Sequence, residues 1–79
     1  MTVKRSVVLN GHKTSVSIED AFWRALGAEA KTSGRSLNAV IAEIDASRGT
    51  NNLSSAIRLH VLQALQERLA AALDQPQAT

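Results

Sequence analysis

Residues 13–18 read Lys-Thr-Ser-Val-Ser-Ile, a stretch in which β-branched and polar side chains alternate. Alternation of this kind is typical of a strand with one buried and one solvated face. The face expected to be buried holds Thr14, Val16 and Ile18. The opposite face is small, polar and basic, and it holds Lys13, Ser15 and Ser17. We therefore predict a half-buried strand that presents a basic face to its surroundings.

A helix is expected directly after this strand. Either Ser17 or Asp20 can cap it, and acids at Glu19 and Asp20 suit the positive end of the helix dipole. Gly34 is placed to end the helix in the left-handed conformation that glycine adopts at low cost. Side chains that recur at four-residue spacing predict one apolar stripe, formed by Phe22, Leu26 and Ala30.

Two further helices follow from the same signals. Ser36 is the expected N-cap of the second helix, which ends before Gly49. Its apolar face is formed by Leu37, Val40, Ile41 and Ile44. Ser54 is the expected N-cap of a third helix that runs to about Leu73. That helix is broadly apolar, so it must pack against the rest of the fold or against a partner.

The segment before the first predicted strand allows two interpretations. Residues 3–9 favour β-structure, and Asn10-Gly11 is a favoured two-residue hairpin turn. In a hairpin, Leu9 would oppose His12, and Ser6 would oppose Ser15. The alternative is a flexible basic arm that becomes ordered on binding.

The length of the chain and the distribution of its charges limit the functions that it can have. A chain of 79 residues buries only about 60% of its unfolded surface, and it has no cysteine for a disulfide. Oligomerisation is the remaining source of stability for a domain of this size, so we expect an oligomer. Lys4, Arg5 and Lys13 all precede Glu19, the first acid of the chain. A basic N-terminal segment on a nearly neutral body suggests a polyanionic partner.

The order strand, helix, glycine, helix resembles the ribbon-helix-helix repressors of the Arc/MetJ class. The resemblance covers residues 13 to about 48 and is closest at residues 33–38, which read Ser-Gly-Arg-Ser-Leu-Asn. The longer chain is similar to short bacterial members of this family. The implied fold is mainly α with a short β-ribbon, in an intertwined homodimer with a third C-terminal helix. The implied divisions are an arm or first hairpin strand at 1–12, the ribbon-helix-helix core at 13–49, a C-terminal helix at 50–74 and a disordered tail at 75–79.

The resemblance also implies which residues meet DNA. One strand from each chain pairs with its mate, and the ribbon enters the major groove. The base-contacting positions fall on Lys13, Ser15 and Ser17. In the family, the backbone at the N-terminus of the second helix binds a phosphate, and the matching residues here are Arg35, Ser36 and Leu37. Lys4 and Arg5 are further candidates for phosphate contacts. The dimer core falls on Val16, Ile18, Phe22, Trp23, Leu26, Leu37, Val40, Ile41 and Ile44.

Catalysis and metal binding find little support in the sequence. His12 and His60 have no neighbouring ligand at metal spacing, and we expect a turn position and a helix surface or interface for them. Ser36, Asp45 and His60 lack the sequence context of a nucleophile elbow. We therefore predict no enzyme, no metal and no cofactor.

The predicted function is sequence-specific binding of double-stranded DNA by a homodimer, as a transcriptional repressor in the bacterial cytoplasm, associated with the nucleoid. No signal or membrane segment is predicted, because the first apolar run, residues 7–9, is too short for either. The alternative is a protein-interaction module, such as an antitoxin or adaptor, that works through the third helix. That helix has three interpretations: it completes the dimer core, it joins dimers, or it binds another protein.

Overall fold

A β-hairpin opens the chain and three helices follow it in the computed structural model of the protein, which describes residues 1–74. The elements are β1 (Thr2–Leu9), β2 (His12–Glu19), α1 (Asp20–Thr32), α2 (Leu37–Ser47) and α3 (Leu53–Asp74). This is the mainly helical fold with a short β-ribbon and a C-terminal helix that the sequence predicts. The predicted disordered tail, residues 75–79, lies outside the described residues. No helix within residues 1–74 combines the length and apolar character needed to cross a membrane.

The hairpin is closed by a tight turn at Asn10 and Gly11. Both have positive φ, 52° and 80°, which a two-residue turn of the primed type requires and which asparagine and glycine tolerate. The two strands are antiparallel over their full length, with Leu9 opposite His12 and Ser6 opposite Ser15. Thr2–Leu9 is therefore a strand in this structure rather than an arm.

The pairing partner of β2 differs from the one that the family resemblance implies. That resemblance pairs the strand with its mate from a second chain, whereas here β2 pairs with β1 of the same chain. The sheet has two strands, so the second edge of β2 carries no strand within the described residues. On that edge the backbone N–H of Ser17 donates to Ser54 Oγ over 3.2 Å.

One face of the hairpin and all three helices enclose a single apolar core. Its most deeply buried side chains come from β2 and every helix: Val16, Ile18, Leu26, Ile41 and Ile57, none of them exposed by more than 2%. The strand contributes them at alternate positions and the helices at three- or four-residue spacing, which is why the sequence pattern locates them. The remaining buried side chains are Val7, Leu9, Ala30, Val40, Ile44, Leu53, Ala56 and Val61.

The turn between α1 and α2 forms as the sequence predicts. Gly34 has φ of 69°, and the next amide, that of Arg35, donates back to the carbonyl of Ala30 over 3.0 Å. Ser36 caps α2, because its hydroxyl accepts from the amide of Ala39 over 3.0 Å. Both predicted signals, the left-handed glycine and the serine cap, are confirmed.

Two other predicted caps are wrong. The N-cap of α1 is Glu19, which makes no side-chain cap bond, so neither Ser17 nor Asp20 has that role. At the start of α3, the side chain of Asn52, and not that of Ser54, accepts the capping hydrogen bond. Its Oδ1 accepts from the backbone amide of Ser55 over 2.7 Å. Ser54 lies inside the helix, and its hydroxyl accepts from β2 instead.

An ion pair ties α3 to the end of the hairpin. Arg58 Nε donates to Glu19 Oε1 over 2.7 Å. This hydrogen bond is the main reason why the pKa of Glu19 lies below its usual value. The pair therefore makes part of the stability depend on pH.

Acidification is expected to weaken the wild-type protein more than an Arg58→Gln variant. A carboxyl whose pKa is lowered by folding adds stability at neutral pH, and that contribution is lost as the pH falls through the folded-state pKa. The measurement is the free energy of unfolding by urea, from neutral pH to below the usual pKa of glutamate. Other carboxyls titrate in both proteins, so the difference between the two curves isolates Glu19. Parallel curves would contradict the assigned role of Arg58.

Candidate nucleic-acid interface

The hairpin carries a polar face that the three helices, residues 20–74, leave uncovered. Seven side chains of this outer face are exposed: Thr2, Lys4, Ser6, Val8, Lys13, Ser15 and Ser17. They share it because successive residues of a strand point to opposite sides, and the register aligns the two strands. The three predicted base-contacting residues therefore lie together on one exposed face, joined by four residues of β1.

Two lysines lie on this outer face, one toward each end. Lys4 lies opposite Ser17, and Lys13 lies opposite Val8, four residues further along the strands. At about 3.3 Å per residue, these two rows are ~13 Å apart. Ser6 and Ser15 occupy the row between them. None of the seven exposed residues is acidic, and the one acid on this side, Glu19, is partly buried and paired with Arg58. The exposed part of the outer face is therefore basic and rich in hydroxyl groups.

The N-terminus of α2 offers backbone donors beside the hairpin. The first amides of a helix have no acceptor within it, and the helix dipole makes this end positive. In α2 the capping bond of Ser36 satisfies the amide of Ala39, and the amides of Leu37 and Asn38 precede it. The amide of Arg35, expected to face a phosphate, donates instead to Ala30. The backbone amides that are free to bind an anion at this end of α2 therefore begin after Arg35.

Asn38 joins the hairpin to this helix end. Its side-chain Nδ2 donates to the backbone carbonyl of Val8 over 2.7 Å. Val8 is opposite Lys13, so the bond holds the tip of the outer face beside the first turn of α2. No local sequence pattern assigns Asn38 a role of its own. The bond spans 30 residues, and local sequence signals do not report a contact of that range.

The comparison with known proteins agrees with this geometry. The sequence profile described as the ribbon-helix-helix domain matches residues 2–65 of the 79-residue chain. The chain belongs to the ribbon-helix-helix family. Neither a curated protein nor a solved structure matches it significantly. Ribbon-helix-helix domains are DNA-binding or regulatory modules that dimerise and are typically not enzymes, which supports a general role in DNA binding and transcription regulation.

Two arginines of this ribbon-helix-helix protein are held by carboxylates. Arg5 lies on the inner side of the hairpin, away from Lys4, with its Nη2 2.7 Å from Asp20 Oδ1 and its guanidinium 4.8 Å from the centre of the Trp23 ring. Arg35 pairs with the carboxylate of Glu43 along α2. The structure therefore separates both side chains from the exposed lysines of the outer face.

The residues expected in the core of a ribbon-helix-helix dimer pack within one chain here. Six of the nine are buried: Val16, Ile18, Leu26, Val40, Ile41 and Ile44. Phe22, Trp23 and Leu37 are partly buried and pack against this core. The sequence pattern thus located the core side chains of the fold, and a single chain already covers most of them.

The two histidines occupy different environments in the ribbon-helix-helix fold. His12 is exposed beside the hairpin turn. His60 on α3 bridges to Glu29 on α1, with Nε2 2.8 Å from Oε2. Within residues 1–74, no group of three histidine, aspartate or glutamate side chains is arranged to hold a metal. His60 thus connects two helices.

Proposed function

We propose that the protein binds double-stranded DNA sequence-specifically as a homodimer, inserts a two-stranded antiparallel ribbon into the major groove, and acts as a transcriptional repressor. The observation that carries this proposal is the outer face of the hairpin, whose exposed residues include no acid and which is held beside the N-terminus of α2. We place its action in the cytoplasm, on nucleoid DNA.

The dimensions of the hairpin suit the groove. Two strands lie about 4.8 Å apart, and the major groove of B-DNA is about 12 Å wide, which admits a two-stranded ribbon. In this proposal the ribbon is the β1–β2 hairpin, so each protomer of the dimer supplies a complete one. Two hairpins related by a two-fold axis would read a short pseudo-palindromic site.

The outer face divides into base-reading and phosphate-binding positions. Lys13 can donate to the O6 and N7 of guanine, and the hydroxyls of Ser15 and Ser17 can donate to or accept from several base edges. Serine is less selective than arginine or glutamine, so Lys13 carries most of the direct readout. Lys4, at the other end of the outer face, is placed for a phosphate.

A second phosphate contact is proposed at the N-terminus of α2. Free amides and the positive end of a helix dipole bind anionic oxygens, and Ser36 and Leu37 begin this helix. Asn38 fixes the N-terminus of α2 against Val8. The outer face of the hairpin and the free amides of α2 would therefore contact the duplex together. Arg5 and Arg35 would reach a phosphate only by exchanging their carboxylate partners for it.

The test is a titration of the protein against random-sequence duplex DNA at several salt concentrations, followed by selection of preferred sequences. We expect affinity to fall steeply with salt, because binding releases counterions from the phosphates, and we expect a short motif to be enriched twice in one site. Single-stranded DNA of the same composition is the control and should bind more weakly. No binding at low salt, or binding without an enriched motif, would contradict sequence-specific recognition.

A further inference from the structure

Helix α3 is apolar on two opposite sides. One side packs into the core through Leu53, Ala56, Ile57 and Val61. The other side carries five leucines that remain at least half exposed: Leu59 (54%), Leu62 (50%), Leu65 (51%), Leu69 (61%) and Leu73 (77%). We call these five residues the leucine stripe. The fold of residues 1–74 leaves this stripe uncovered.

The spacing of the leucine stripe is that of a helix-pairing seam. Its members follow one another at intervals of three, three, four and four residues, an average of 3.5. This is the repeat that keeps apolar side chains facing a second helix in a left-handed coiled coil. At 3.6 residues per turn, the five side chains fall within an arc of about 120°.

Residues 1–61 give the second half of α3 little support: Ala64 is partly buried there, and the other residues of this half are exposed. No residue from Leu62 to Asp74 is buried, although the helix continues through all of them. A helical segment of fewer than about 15 residues is only marginally stable alone in water. An exposed leucine row on such a segment is the kind of patch that marks an interaction site. The helix is therefore expected to gain stability from a partner on this side.

The charge of this segment favours an apolar helix as the partner. Residues 62–74 carry one base, Arg68, against two acids, Glu67 and Asp74. DNA and anionic membranes both recruit segments rich in lysine and arginine, so neither suits this surface. A second copy of the chain presents the same uncharged stripe, and a patch that matches itself can pair about a two-fold axis.

We propose that the leucine stripe is the contact surface for α3 of a second copy of this chain. Two stripes packed face to face would bury on the order of 1,000 Å² in total, the lower limit for a specific interface. This contact is separate from the outer face of the hairpin, so a chain joined through α3 keeps its proposed DNA-binding surface free. The stripe thus sets how many hairpins one assembly presents.

The test is the mass of the full chain in solution, measured by sedimentation equilibrium without DNA. Replacing Leu65 and Leu69 together with glutamate places charges in the middle of the seam, and we expect the association number to fall by half. The matched control is Gln63→Glu with Ala71→Glu, which adds the same two charges at exposed positions of α3 outside the stripe and should keep the wild-type mass. Circular dichroism checks that each variant retains its helices.

Two results of this mass measurement would contradict the proposal. An unchanged mass of the double-glutamate variant would show that the chains associate elsewhere. A wild-type chain that is monomeric at high concentration would exclude self-pairing and leave the stripe to an apolar helix of another protein. If the glutamate variant does not fold, Leu65→Gln with Leu69→Gln removes the same contacts without adding charge. Because DNA is absent, none of these results depends on DNA binding itself. A monomeric wild type would also contradict the homodimer of the proposed function, whereas an unchanged mass of the glutamate variant contradicts the α3 contact alone.

Discussion

Replacing Ile18 with alanine is expected to lower the free energy of unfolding by about 2–5 kcal/mol, the usual cost of truncating a fully buried isoleucine. Ile18 is 0% exposed and lies where the hairpin packs on the helices. A domain of this size has about 5–15 kcal/mol of stability, so the loss is a large fraction of the total. The measurement is urea unfolding followed by circular dichroism.

Ser17→Ala is the matched control for this prediction. Ser17 precedes Ile18 on the same strand but points to the exposed outer face, so its truncation should change stability by no more than about 0.5 kcal/mol. The hydrogen bond that Ser54 accepts comes from the backbone of Ser17 and survives the substitution. Equal losses in both variants would mean that the two faces of β2 are not the inner and outer faces described, as after a one-residue slip of register.

Reversing the charge at Lys13 is expected to weaken binding to the selected DNA site at least tenfold. Loss of one good base contact costs about 1–3 kcal/mol, and each 1.4 kcal/mol is a factor of ten in Kd. The Lys13→Glu carboxylate would add repulsion from the phosphates. Lys13 is exposed and pairs across the hairpin with Val8, so we expect the fold to remain intact. The measurement is Kd at fixed salt, with unfolding curves alongside.

Arg68→Glu is the control for that reversal. It changes the net charge by the same amount, but Arg68 is exposed on the second half of α3, away from the outer face of the hairpin. We expect its Kd to stay within about twofold of the wild type, because screening limits the effect of a distant surface charge. If both variants lose affinity equally, net charge drives binding and Lys13 has no local role.

Local patterns in the sequence predicted most of the fold. The alternation at residues 13–18, Gly34 before α2 and the cap at Ser36 each act within a few residues, so each could be recognised along the chain. The same alternation assigned Lys13, Ser15 and Ser17 to the exposed side of β2. Their role in reading bases stays a prediction.

Contacts between distant segments could not be predicted in this way. Serine and asparagine are both good N-caps, so nothing local favoured Asn52 over Ser54 at α3; the hydroxyl of Ser54 is engaged by a strand 37 residues away. Charge alone groups Arg5 with Lys4, although its position in the strand turns it toward Asp20 on α1. In both cases the deciding partner lies on another element, where tertiary packing determines the contact.

The hairpin also has a consequence for the order of folding. Its two strands are joined by two residues, and even its most separated pair, Thr2 and Glu19, is close in sequence. Such hairpins form in about 1–10 μs, whereas association of two chains slows as the chains become dilute. A newly made chain therefore assembles its strand pair by a first-order process, at a rate that does not depend on how many copies the cell contains.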